Sequence, residues 1–249
     1  MKKKLLIDGD IILYRSTASA ETEWNIEDDL WVLYSDLAQS KAVLHGYLIH
    51  LCANADIDDV VFAFSGKDNF RKTIYPEYKA NRANTRKPLA YSALKDWVSE
   101  EWPTIIIDGI EADDVLGLYA DDYILVSEDK DLMTVPSTHF VDKTKEYKDI
   151  DLKLANYNWL CQTLTGDTTD NYKGCPRVGL VTAQKLLNGI NCAKDFNKAW
   201  DVVVGAYEKA GLSEDEAIIN AQMARILRKG DFDLVTKELN LWTPTRGDS

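Results

Sequence analysis

The 249-residue sequence predicts an α/β fold: a mainly parallel central sheet flanked by helices, followed by a separate helical part. Two observations carry that expectation. Up to Val126, short unbroken runs of aliphatic, β-branched and aromatic residues alternate with stretches of helical period. Such runs suit strands buried on both faces, and their alternation with helices suits a parallel sheet. After about Asp151 the runs cease and helical periods dominate.

The first strand is Lys4-Leu5-Leu6-Ile7, running into Asp8-Gly9-Asp10. A helical period follows over Leu30 to Leu51. The second strand, Val60-Val61-Phe62-Ala63-Phe64, ends at Ser65-Gly66. A helix is predicted over Tyr91 to Glu101, then a third strand, Thr104-Ile105-Ile106-Ile107, before Asp108-Gly109. A helix over Asp113 to Tyr119 leads to the fourth strand, Tyr123-Ile124-Leu125-Val126, before Ser127-Glu128-Asp129. In the second part, helices are predicted over Tyr157 to Thr165, Val178 to Leu187, Asp195 to Ala210 and Glu214 to Arg228. Ser213 and Glu216 have the spacing of a capping box that opens the last of them. A soft boundary near residue 150 divides residues 1–150 from 151–249, and no Pro/Gly/Ser-rich linker separates them. The two parts are expected to pack together.

Composition narrows the function. No apolar stretch reaches the roughly 20 residues of a membrane helix. The N-terminal apolar run is broken by Asp8 too soon for a signal peptide, so a cytoplasmic location is expected. Cys52, Cys161, Cys175 and Cys192, like His45, His50 and His139, show no metal or redox spacing, which argues against zinc chemistry. The formal net charge of −12 argues against a nucleic-acid partner only until its distribution is read. Residues 67–87 hold seven Lys/Arg against two acidic residues, and 171–187 hold three against none. Basic islands of this kind can grip a phosphate backbone.

The acidic residues fall in four clusters: Asp8; Glu111-Ala112-Asp113-Asp114; Asp129 with Asp131; and Asp167 with Asp170. In an α/β sheet the site lies beyond the carboxyl ends of the strands, and three of the four strands deliver acids there. Asp129 and Asp131 share a face if extended, and Glu111 with Asp114 or Asp167 with Asp170 share one on a helical turn. Taken singly, each pair is ordinary capping or turn chemistry. Together, so many carboxylates cannot converge without a counter-charge, and hard divalent cations, magnesium or manganese, supply it. Two such ions can activate water and stabilise a departing phosphate oxygen. The chemistry indicated is phosphoryl hydrolysis.

Two further stretches suggest DNA. Asp170 to Leu187 reads as a helix-hairpin-helix, placed over residues 166–190. There Gly174 and Gly179 free backbone N–H groups for a phosphate or a bridging cation, and Lys173, Arg177 and Lys185 add charge. The basic stretch 67–90 carries Phe70-Arg71-Lys72 and Tyr78-Lys79-Ala80-Asn81-Arg82. If it is helical, Tyr78 stacks on an unpaired base while Lys79 and Arg82 hold a phosphate and steady developing charge.

Asp8, Phe70-Arg71 with Tyr78-Lys79 and Arg82, Glu111-Ala112-Asp113-Asp114, Asp129-Lys130-Asp131, and Gly166-Asp167 through Asp170-Asn171 occur in this order. The pattern resembles the flap endonuclease superfamily of structure-specific 5′ nucleases. Lys209-Ala210-Gly211-Leu212, Gln222 to Arg228 and Leu241-Trp242 look like the C-terminal region of the 5′-to-3′ exonucleases of short-tailed bacteriophages. The resemblance implies a PIN-like nuclease fold with residues 67–90 as a basic arch. It implies a monomeric phage replication enzyme in the host cytoplasm that digests duplex DNA from 5′ ends or flaps and removes RNA primers from RNA–DNA hybrids. It implies metal ligation, in part through water, by Asp8, Glu111, Asp113, Asp114, Asp129, Asp131, Asp167 and Asp170. It implies catalytic contacts from Lys79 and Arg82, DNA contacts from Arg71, Tyr78 and the hairpin residues, and a potassium ion at the hairpin.

Two departures from the family pattern stand out. The usual aspartate after the second strand is replaced by Ser65-Gly66, with Asp68 as the nearest substitute, and a usual hairpin glycine is replaced by Arg177. Three other readings fit less well. A compact carboxylate-site ribonuclease leaves residues 151–249 unused, a non-catalytic DNA-structure-binding protein leaves the carboxylates unexplained, and a small-molecule phosphatase leaves the basic islands idle.

Overall fold

Side-chain alternation along the strands decides which helices cover which face of the sheet. In a computed structural model, which describes residues 4–245, β1 (Lys4–Asp8) turns Leu5 and Ile7 to one face and Leu6 to the other. Residues 1–3, part of the leader argument, and the tail 246–249 lie outside the described residues. Next come α1 (Gly9–Ala18), β2 (Glu21–Glu27), β3 (Leu30–Ser35), α2 (Leu37–Ala55) and β4 (Val60–Ser65). The short helix α3 (Arg71–Ile74), α4 (Tyr91–Glu101), β5 (Thr104–Ile107), α5 (Ala112–Leu118) and β6 (Tyr123–Val126) follow. β7 (Ser137–Val141) and β8 (Glu146–Ile150) complete the sheet, and α6 (Leu152–Thr165), α7 (Leu180–Leu186), α8 (Phe196–Lys209) and α9 (Glu214–Ala224) form the helical part.

The sheet order is β5-β4-β1-β6-β7-β8, parallel throughout except for the edge pair β7/β8. One face packs Phe62 and Phe64 of β4 against Leu13, Leu44, Leu51, Leu94 and Val98 of α1, α2 and α4. The other packs Val61 and Ala63 against Val115 and Leu116 of α5, joined by Ile226, Leu227 and Phe232. The chain end therefore returns to the sheet after α9, and residues on both sides of position 150 share one of its cores. The third core is helical, built on Trp159, Trp200 and Tyr207, and it includes Tyr78 from the basic stretch. Among the described residues, no helix is long and apolar enough to cross a membrane.

The four predicted strands stand where expected. The helix predicted from Leu30 does not begin there. Leu30–Ser35 pairs antiparallel with Glu21–Glu27, and the helix starts only after Asp36, whose carboxylate accepts the Ala38 N–H at 2.8 Å. The hairpin exposes Trp24, Ile26, Trp31 and Tyr34, which reads as a buried helical period in one dimension. α9 stops at Ala224, short of the expected Arg228, because Arg225 is extended and its carbonyl is taken by a side chain from across the molecule.

Between α6 and α7 the chain closes a tight loop in which Gly166 and Gly174 pack backbone to backbone. Both have positive φ (65° and 64°), and a Cβ on Gly174 would lie 2.2 Å from the Gly166 nitrogen. Left-handed strain and a backbone clash both fall on any side chain there. Gly174→Ala is expected to cost more than about 3 kcal/mol in urea unfolding. Gly189→Ala, with φ of 77° but open space around it, is expected to cost about 1 kcal/mol.

Candidate active site

The carboxyl edge of the sheet gathers acids from three strands. Asp8 ends β1, accepting the Ile11 N–H at 3.2 Å and the Ser127 hydroxyl at 3.1 Å. Glu111 precedes α5, and one oxygen from each of Glu111, Asp113 and Asp114 lies within 4.8 Å of the others. Asp129, after β6, accepts the Asp131 N–H at 2.8 Å. Asp8, Asp10, Glu111, Asp113 and Asp129 line one cleft of about 430 Å³ together with Lys79, Arg82 and Lys87 from the basic stretch. Tyr14 and Arg15 of α1 line it as well. Neither belongs to a charged or acidic cluster in the sequence; only the course of α1 brings them to the cleft.

The charges in this cleft are strongly coupled. Burial pushes the Asp8 carboxyl up to about 7, with help from Asp10 and Asp129. Burial likewise raises Asp113 well above the carboxylate range, reinforced by Asp114 and Glu111. Burial would raise Glu111 too, but Lys79 and Arg71 outweigh it and hold Glu111 below its ordinary value. Burial alone would lower Lys79, yet Glu111, Asp113 and Asp170 keep its ammonium firmly charged. All the acidic donors are carboxylate oxygens, a set suited to a hard divalent cation.

Several expectations are corrected. Arg71 cannot contact DNA: it is 2% exposed and forms a two-pronged pair with Asp114 at 2.6 and 2.7 Å. Asp114, fully buried, accepts from Arg71 with both oxygens and from the Glu111 and Leu227 N–H groups, so its acceptor positions are taken up in anchoring the site. Tyr78 cannot stack on a base, because it is buried in the helical core with its hydroxyl donated to Glu111 (2.8 Å) and Asp170 (2.9 Å). The stretch 78–82 is not α-helical. Lys79 has φ of 54°, and this left-handed kink turns Tyr78 inward while Lys79 reaches Glu111 at 2.6 Å. Tyr14, 43% exposed on the cleft wall, is the aromatic ring that a substrate can reach.

The remaining acids divide between two places. Asp170 accepts from Arg82 at 2.8 Å and lies 3.6 Å from Lys79, beside Glu111. Asp167 caps the turn that follows it, accepting from Thr169 and Asp170 N–H groups, and faces Lys130 at 3.5 Å. Their segment is a turn, so the two do not share a helical face. Asp131 also parts from Asp129: it lines a neighbouring hollow with Gln162 and Lys130, where burial and Asp129 raise it to about 6. Asp68 stands exposed in a turn with φ of 62°, away from the cleft, and does not substitute for an acid at the end of β4.

In the loop before α7, the Gly174 N–H is donated to Asn220 at 2.9 Å and is not free for phosphate. Gly179 caps α7 and is exposed, as are Lys173, Arg177 and Lys185. Arg177 takes the left-handed conformation, φ of 63°, at the position where the family pattern has glycine. Arg177 and Lys185 border a groove of about 910 Å³, with Lys209 of α8 on its far side.

Comparison with known proteins gives a consistent result. The family described as 5′-3′ exonuclease, N-terminal resolvase-like domain, matches residues 3–158. The exodeoxyribonuclease of Enterobacteria phage T3 is 30% identical over 287 aligned positions, spanning 96% of this chain and 92% of its own. The exonuclease of Escherichia phage T7 is 30% identical over 281 positions, spanning 96% and 93%. A crystal structure of the bacteriophage T5 flap endonuclease, with DNA and metal ions, has the same fold. The TM-score is 0.60 at 17% identity, covering 88% of each chain.

Two outcomes follow from the charge arrangement. Arg71→Ala strands the Asp114 carboxylate in the core and is expected to cost about 3–5 kcal/mol in urea unfolding. Arg71→Lys recovers little of that, since one ammonium cannot span Asp114 and the carbonyls of Met223 and Arg225. The second outcome concerns Asp8. Its folded pKa of about 7 lies above the ordinary 3.8, so its stabilising contribution is complete below pH 4 and lost as pH rises through 7. In chelator at pH 8, Asp8→Asn is therefore expected to raise Tm above wild type, by roughly 1–2 kcal/mol or a few degrees. Magnesium is expected to raise the wild-type Tm more at pH 8 than at pH 6, and to do little for the variant.

Proposed function

The chain belongs to the 5′-3′ exonuclease family, and on that premise we propose that it hydrolyses phosphodiester bonds of DNA from 5′ ends, with flapped duplexes among its substrates. The observation that carries this reading is the cleft itself. Carboxylates from the ends of β1, β5 and β6 line it together with Lys79 and Arg82, and the space between them is open to solvent. A purely DNA-binding protein has no use for that many acids beside a phosphate. A compact ribonuclease does not explain why Asp170, from beyond α6, bonds to Tyr78 and Arg82 at the same cleft.

Asp8, Glu111, Asp113 and Asp129 would hold a first magnesium or manganese ion with Asp170 beside Glu111, and Asp131 and Asp167, which both approach Lys130, would hold a second. When bound, such ions supply charge neutralisation and an acidified water for attack on phosphorus. The protein's own groups do the rest. Asp114, through Arg71, keeps the Glu111 turn in place. Lys79 and Arg82 present charged donors to the non-bridging oxygens of the scissile phosphate, where negative charge accumulates. Their present partners, Glu111 and Asp170, keep both cations on the cleft side of the stretch. Tyr14 offers its exposed ring to a base at the end of the duplex, with Arg15 beside it for the phosphate.

Residues 166–190 act as a helix-hairpin-helix that holds the duplex by its backbone. The α7 start at Gly179 and the exposed Lys173, Arg177 and Lys185 lie on a surface suited to phosphates. Arg177 stands where a glycine would admit a bridging potassium ion, and its guanidinium serves in place of that ion. RNA–DNA hybrids with 5′ ends present the same phosphates, which extends the activity to primer removal in phage replication by a monomeric enzyme.

The test uses fluorescent 5′-flap, blunt-duplex and single-stranded DNA, each with magnesium or chelator. Short products are expected to leave the 5′ end only with metal, and an Asp129→Asn, Asp131→Asn double variant is expected to release none. Lys79→Ala is expected to lower kcat by about a hundredfold or more while duplex affinity changes less. Arg177→Ala with Lys185→Ala is expected to weaken duplex binding for all sequences and to reduce the salt slope by about 2. Duplex binding without cleavage under any metal would leave only the structural DNA-binding reading.

A further inference from the structure

The row of carboxylates along the sheet edge has one interruption. Across the neighbouring strands β5, β4, β1 and β6, Glu111 and Asp113 follow β5, Asp8 ends β1 and Asp129 follows β6, whereas β4 ends in Ser65 and Gly66. Asp10, the second residue of α1, lies at that interruption. Its Oδ2 accepts the Ser65 backbone N–H at 3.0 Å, its Oδ1 accepts the Tyr91 hydroxyl at 2.5 Å, and it lines the same cleft as Asp8 and Glu111. The Ser65 hydroxyl in turn accepts the N–H of Ala112, which lies between Glu111 and Asp113, at 3.0 Å.

We propose that Asp10 is a further carboxylate of the divalent-cation site, delivered by α1 to the strand end that supplies none of its own. The proposal rests on the metal-dependent reading of the cleft. Two donors occupy Asp10, while a carboxylate offers about four acceptor positions, so each oxygen keeps a lone pair for a cation or its water. A brace alone does not account for the charge. A second negative group beside buried Asp8 is repulsive, and a cation between them reverses the sign of that interaction. The two hydrogen bonds fix the direction of the carboxylate, as outer partners do for metal ligands generally. Through Ser65 they also set the height of the Glu111–Asp113 turn above the sheet.

Titration calorimetry with manganese alone, without DNA, tests the assignment on the full chain, with Tm in chelator recorded for each variant. Asp10→Asn is expected to weaken manganese binding 10–100-fold, with Tm in chelator equal to or above wild type. Asp10→Ser, a second neutral variant, carries the same expectation, so the misfolding of one does not decide the matter. Tyr91→Phe keeps the charge and is expected to weaken binding far less. Wild-type manganese affinity in a folded Asp10→Asn or Asp10→Ser variant would overturn the proposal and leave Asp10 as a brace. Failure of the wild-type chain to bind manganese at all would overturn the metal-dependent reading, and the proposal with it.

Discussion

The rest of the site hangs on the buried ion pair between Arg71 and Asp114. Neither group reaches water, and an ion pair taken out of water is stable only when nearly every donor and acceptor is used. Here they are. The guanidinium also donates to the carbonyls of Met223 and Arg225, and Asp114 also accepts the N–H groups of Glu111 and Leu227. One pair thereby joins the foot of the basic stretch, the start of α5 and the chain leaving α9. The early end of α9 is a consequence: the carbonyl that a longer helix would use is turned toward Arg71 instead. Coulomb attraction at this depth is strong, but its net value is small after desolvation, so the pair is better understood as fixing geometry than as adding stability.

That geometry places cations and anions in the same cleft, and this reconciles an acidic chain with a phosphate substrate. A net charge of −12 repels DNA at long range, yet seven of the basic residues are concentrated in positions 67–87. Lys79 is held among Glu111, Asp113 and Asp170, each of which stabilises its charged form. Asp8, raised by burial, and Asp113, whose burial outweighs the pull of Arg71 and Lys79, retain protons well above the usual carboxylate range. The cleft is thus divided into a portion that neutralises itself and a portion that needs an added cation. The second portion lies directly at the strand ends.

The strands and the carboxylates at their ends were legible because both follow from local sequence: a buried parallel strand must be continuously apolar, and its end is where polar residues resume. What was not legible depends on direction. Tyr78 in Tyr-Lys-Ala-Asn-Arg reads as an exposed ring on a basic helix, and only the left-handed turn at Lys79 sends it into the helical core. Arg71 reads as a phosphate ligand because nothing local reveals that its partner lies 43 residues on. The pairs Asp129/Asp131 and Asp167/Asp170 have spacings that permit convergence, but a tight helical turn and an Asx-type turn give their members different partners. The Trp24–Tyr34 hairpin was not legible because its apolar residues are exposed, and those of Leu30–Ser35 run straight on into the helical period of α2. Asp10 was not legible as part of the site, since its place depends on where Ser65 falls in the neighbouring strand.

The same contacts argue that the two parts of the chain make one site. The Tyr78 hydroxyl touches Glu111 from the sheet part and Asp170 from beyond α6, while the Lys79 N–H is donated to the Asp170 carbonyl at 2.9 Å. The tight turn after Asp129 packs on α6, and Asn158 of that helix holds the Met133 carbonyl at 2.9 Å. α6 in turn ends at Gly166, whose backbone interlocks with Gly174 at the base of the loop leading to Arg177. A rigid path therefore runs from the carboxylates at the strand ends to the groove bordered by Arg177 and Lys185. If the groove holds the duplex, the spacing between the held backbone and the cleaved bond is set by a single helix. A length-fixing helix of this kind accounts for the second part being packed against the sheet and not joined to it by a flexible linker.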